Sequence, residues 1–146
     1  MCIRDSVQGW EIIEIFSTQE EKDNALKMYL NIEKEIILKN ISLKAETLKY
    51  DGVLVEGVWI HTDLHSRTKW LAMMNSAIPS IEIATMDDTL IATSPELAML
   101  VFQATAQLDV AILNHSKSLV ALVETSETPN AVDIASNWPV TYTTKP

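Results

Sequence analysis

Apolar and polar positions along the chain change period several times, and each change marks an element. Residues 9–16 (Gly-Trp-Glu-Ile-Ile-Glu-Ile-Phe) alternate weakly and are rich in β-branched and aromatic side chains, which predicts a strand within residues 7–17. That strand reads as the end of a truncated upstream element. Thr18 with Glu21 has capping-box spacing, and Ser17 with Glu20 is the alternative register. Neither Gly nor Pro then interrupts the chain before Tyr50, so residues 18–50 are predicted to form one helical arm. Two apolar sets run along it, Leu26/Leu30/Ile37/Ile41/Leu48 and Ala25/Tyr29/Ile32/Ile36/Leu43. Such a helix is ~45 Å long at ~1.5 Å per residue. A face that broad needs cover, from the C-terminal helix or from the same helix in another chain.

Asp51-Gly52 ends the arm. Val53-Leu54-Val55 and Val58-Trp59-Ile60-His61 read as strands joined by a tight turn at Glu56-Gly57, with Gly57 supplying the positive φ. Thr62 or Asp63 is placed to cap a helix over residues 64–78 with Trp70, Leu71, Met74 and Ala77 on one face, stopped by Pro79. A second hairpin follows, residues 81–85 and 89–93 around Met86-Asp87-Asp88, with Asp88 where such turns prefer Gly. Ser94-Pro95 opens the last helix as N-cap and first helical residue. That helix is predicted to run to Thr125 on a row of Leu97, Val101, Ala104, Leu108, Ala111, His115 and Leu122. A tail with Pro129, Trp138 and Pro139 ends in a strand-like Thr141-Tyr142-Thr143-Thr144. The expected fold class is α+β: a long N-terminal helix, then β-hairpin, helix, β-hairpin, long helix and an irregular C-terminal tail.

Composition narrows the class. The 146 residues are 47% hydrophobic and 21% charged, which suits one globular domain with an arm. The net charge of −9 argues against nucleic acid as a partner, since a phosphate backbone needs a Lys/Arg surface. One Cys excludes a disulfide scaffold and a multi-Cys zinc site. No run of ~18 consecutive apolar residues occurs, so no membrane span is predicted. No basic stretch leads into an apolar one, so no signal peptide is predicted either. Residues 1–6, Met-Cys-Ile-Arg-Asp-Ser, resemble a translated adapter scar of metagenomic reading frames. On that reading the native chain starts at Val7, lacks its true N-terminus, and has no Cys.

The densest polar cluster runs from His61 to Arg67. His61, Asp63 and His65 could ligate a metal, because imidazole and carboxylate suit zinc or iron. Against that, the cluster straddles a strand-to-helix junction, and His115 is the only other His. The simpler expectation is structural: Asp63 or Thr62 caps the helix, and Arg67 reaches back to Asp63 at i, i+4. His115 is expected to be a core or register-fixing His rather than a ligand or pH switch. Trp59, Trp70 and Trp138 are expected in the core. Nucleophile elbows and phosphate-binding Gly loops are absent, so no catalytic residue, no cofactor and no enzymatic activity are expected.

Residues 50–139 resemble a phage tail-associated domain family of unknown molecular function. The family occurs at the C-terminal ends of tail fibre and tail-fibre-assembly proteins. The resemblance lies in Gly52-Val53-x-Val55-x-Gly57-x-Trp59-Ile60-His61-Thr62-Asp63 with Ser66-Arg67, in the hairpin of residues 81–93, in the long helix of residues 95–123, and in Ala131-Val132-Asp133-Ile134 through Trp138-Pro139. Ile83 stands where the family often has Trp, and Asp88 and Asn137 stand where it has Gly. The resemblance implies a domain over residues 51–139 after the helical arm, with 140–146 as tail. It further implies a non-enzymatic tail module, partnered by a tail or tail-fibre protein and by copies of itself through the long helices. Its expected location is the virion tail, or the host cytoplasm during assembly. Two alternatives are a small metal-binding or hydrolytic domain using His61, Asp63 and His65, and a host-surface-binding tip using exposed Trp residues.

Overall fold

The computed structural model describes residues 18–75 and 80–146. The strand predicted within residues 7–17, the scar-like start, Trp10, Ala77 and Pro79 lie outside the described residues. The architecture is α+β: α1 (Gln19–Lys49), β1 (Val53–Val55), β2 (Val58–Ile60), α2 (Leu64–Met74), β3 (Glu82–Ala84), β4 (Leu90–Ala92) and α3 (Pro95–Thr125). A 3₁₀ turn at Pro129–Ala131 and an irregular tail complete it. The strands form two separate antiparallel hairpins.

Thr18 is the N-cap of α1, and its hydroxyl accepts from the Glu21 amide at 3.1 Å. The first apolar set faces inward from the middle of the helix onward: Ile37, Ile41 and Leu48 are buried against α3, while Leu26 near the start is exposed. The second set faces away, with Ile32, Ile36 and Leu43 each more than half exposed. The cover for the arm is thus the C-terminal helix, and it covers one face only.

The core has two parts. Leu48, Val53, Val55, Ile60 and Trp70 gather around the first half of α3, and Ile37 and Ile41 pair with Leu119 and Val123 at its other end. Trp138 from the tail packs against both. The inward row of α3 is Ala98, Val101, Thr105, Leu108, Ile112, Leu119 and Val123. This corrects the predicted row: Val101 and Leu108 are buried, but Ala111 and Leu122 are exposed. Apolar residues occupy several faces of α3, so 3–4 spacing runs through more than one row. The row that turns inward is selected by α1, α2 and β1. For the same reason α3 is long and apolar enough, by length and composition, to cross a membrane, although it carries no unbroken apolar run. Here its inward row forms the core.

Two other expectations change. α2 ends at Met74, where the Asn75 amide returns to the Ala72 and Met73 carbonyls, before Pro79. Residues 141–144 form a turn rather than a strand, with the Thr144 amide donating to the Thr141 carbonyl at 3.2 Å. The first hairpin turn uses two left-handed residues, Glu56 (φ 49°) as well as Gly57 (φ 80°). The second is a three-residue loop closed by left-handed Asp88 (φ 59°).

Candidate functional site

The segment from His61 to Arg67 is where α1, the first hairpin, α2 and α3 meet. Thr62 is buried and acts as a splint: its hydroxyl donates to the Lys49 carbonyl at 3.0 Å and accepts from the Gly52 amide at 2.9 Å. It thereby satisfies a C-terminal carbonyl of α1 and fixes the chain leaving it. Asp63 caps α2, accepting from the Ser66 amide at 3.2 Å and the Ser66 hydroxyl at 2.6 Å. Those hydrogen bonds, the hydroxyl foremost, hold its carboxyl below the usual range against a smaller effect of burial.

Arg67 does not reach back to Asp63, whose oxygens are taken up by the cap. Its guanidinium crosses to α3 and grips Asp109 with both ends, at 2.7 and 3.0 Å. Nε donates to the Thr62 carbonyl at 2.6 Å and Nη2 to the Lys49 carbonyl at 2.7 Å. The Tyr50 ring lies 5.4 Å from the guanidinium carbon. One side chain therefore ties three helices and the strand-to-helix junction, and it sets a positive charge at the C-terminus of α1. Asp109 carried no sequence signal, because its partner lies 42 positions away.

A cleft of about 340 Å³ opens beside this node between α2 and α3, lined by His61, Arg67, Trp70, Leu71, Phe102 and Asp109 among others. A second of about 290 Å³ lies between α2 and the second hairpin, reached by His61, Lys69 and Glu82. His61, Asp63 and His65 do not converge: Asp63 is engaged at the cap, and His65 is exposed. Among the described residues, no group of three or more His, Cys, Asp or Glu side chains is placed to hold a metal. The first cleft has mainly apolar walls, with the Arg67–Asp109 ion pair among its lining residues.

The tail is clasped back onto the molecule. The Asp51 carboxylate accepts from the Thr141 hydroxyl at 2.5 Å, the Thr143 amide at 3.0 Å and the Thr143 hydroxyl at 2.6 Å. Burial pushes this carboxyl up, but those hydrogen bonds, with Lys44 nearby, outweigh it and hold the group below its ordinary value. Tyr142 donates to Asp87 at 2.8 Å, which raises its phenol, and meets Trp59 edge-on. His115 is half-buried: in the tautomer protonated at Nε2 it donates to the Ser136 carbonyl at 3.0 Å, and its ring abuts Trp138. It fixes the position of the tail on α3. Of the described tryptophans, Trp70 is buried, while Trp59 and Trp138 are half-buried and packed by these contacts.

Apart from these features, the outer face of α3 carries an apolar stripe, whereas that of α1 mixes apolar residues with charged ones. On α3, Met99, Phe102, Val110 and Leu113 are 43 to 56% exposed. No protein-family model, curated protein or solved structure matches the chain.

Proposed function

We propose that this chain is a non-enzymatic structural or assembly module of a phage or prophage tail, associated with tail fibres and self-associating through its long helices. The observation that carries the reading is the exposed apolar stripe of α3, with Ile32, Ile36 and Leu43 exposed on α1, on a molecule whose buried side-chain polar atoms all have partners among the described residues. Exposed apolar surface on this scale marks a contact surface. The resemblance to the phage tail-associated family supplies the context, and two details support it. Asp88 and Asn137, which stand where the family carries Gly, have φ of 59° and 67°, the left-handed region that Gly favours. On this reading the protein resides in the virion tail, or in the host cytoplasm during assembly. The Arg67 node holds α1, α2 and α3 at fixed angles so that their outer faces are presented together.

The test is co-purification with a phage tail-fibre protein, and recovery from purified virions. Association with that protein is expected. A chain that stays strictly monomeric and binds no tail protein would overturn the reading.

A further inference from the structure

We infer that the outer face of α3 binds a second copy of the chain, antiparallel, about a two-fold axis at Ala106. This deepens the self-association just proposed and rests on it. Met99, Phe102, Ala106, Val110 and Leu113 lie on one exposed stripe of α3. Their spacing is symmetric about Ala106, with Phe102 and Val110 one turn to either side and Met99 and Leu113 two turns away.

An isologous dimer requires such self-complementarity. Turning one copy end for end about Ala106 brings Phe102 level with Val110 of the second copy, and Met99 level with Leu113. The small residue falls where the helices cross most closely, and the large ones interleave on both sides.

Charge selects the occupant and its direction. The chain carries −9, so approach of two copies is favoured through a face without net charge. From Leu97 to Ser116 the only charged residue of α3 is Asp109, which Arg67 neutralises. At the two ends of the stripe stand Glu96 and Lys117, both exposed. The antiparallel arrangement sets Glu96 level with Lys117 of the second copy, at both ends. A parallel one would set like against like.

Sedimentation equilibrium of the full chain is expected to give twice its 16.3 kDa mass. Ala106→Glu, which sets two carboxylates together on the axis, is expected to return it to one chain with unchanged helicity. In a Cys2→Ser background, Met99→Cys chains mixed with Leu113→Cys chains should form a disulfide across the pair, and Leu113→Cys alone should form none. A monomeric wild type overturns the inference together with the self-association on which it rests. A dimer that survives Ala106→Glu but dissociates with Ile36→Glu overturns this face alone and moves the contact to α1. A Leu113→Cys homodimer overturns the antiparallel arrangement. Flotation of monomers with phosphatidylcholine vesicles would assign the stripe to a lipid surface instead.

Discussion

Replacing Arg67 and Asp109 separately and together measures how much of the fold hangs on one side chain. Arg67→Met deletes four hydrogen bonds, two to Asp109 and one each to the carbonyls of Thr62 and Lys49. A hydrogen bond to a charged group contributes ~1.5–3 kcal/mol net, and the buried limit for breaking an ion pair is ~3–5 kcal/mol. The pair is partly exposed, 20% for Arg67 and 33% for Asp109, so solvent screening discounts both figures. Asp109→Leu removes two bonds and leaves Arg67 its carbonyl partners, an expected loss of ~2 kcal/mol. Arg67→Met removes all four and strands the carboxylate, an expected ~3–4 kcal/mol. The double variant should cost ~1–2 kcal/mol less than the sum, since both changes break the same contact. Urea unfolding followed by tryptophan fluorescence, at one fixed protein concentration and pH 7, gives the four free energies. If Asp109→Leu costs as much as Arg67→Met, or the two losses simply add, then the guanidinium is not the cross-link described.

Other substitutions separate the remaining roles. Ile41→Ala, in the core between α1 and α3, should cost ~3 kcal/mol, whereas Ile36→Ala, five residues earlier on the outer face, should cost under ~0.5 kcal/mol in the monomer; thermal unfolding distinguishes them. The Asp51 and Asp63 carboxyls are held low in the folded state, so their contribution is complete above the unfolded carboxylate range, near ~4, and is lost as pH falls through the folded values. Asp51→Asn should therefore cost ~1–2 kcal/mol at pH 7 and shrink to nothing in strong acid, read from melting temperature against pH. Glu56→Gly should stabilise by ~0.5–1 kcal/mol by relieving a left-handed non-glycine residue in the first turn. Gly52→Ala should destabilise strongly, because Gly52 has φ 90° and an added Cβ would overlap the Met86 sulfur.

The order of elements was legible because each boundary carries local chemistry. Thr18, Ser94 and Pro95 stop or start helices through their own backbone and side-chain geometry, wherever they sit in space. The inward row of α3 was not legible, since an apolar helix has no unique face until its neighbours arrive. The partner of Arg67 was misassigned for a related reason: spacing of i, i+4 proposes Asp63, but the competing cap removes it. The Thr141–Thr144 turn reads as a strand by composition, but hydrogen bonds between Thr141 and Thr144 and to the distant Asp51 curl it.

The return of the tail to Asp51 has a mechanical consequence. Thr143 is held at the C-terminal end of α1 and Thr18 caps the other, so these two residues stand about one helix length apart, ~46 Å for 31 residues. Tension applied between them runs along the axis of α1 and passes through the hydrogen bonds at Asp51. The clasp is thus a mechanical link in series with α1, through which a pull on the tail reaches the helix end by hydrogen bonds to one carboxylate.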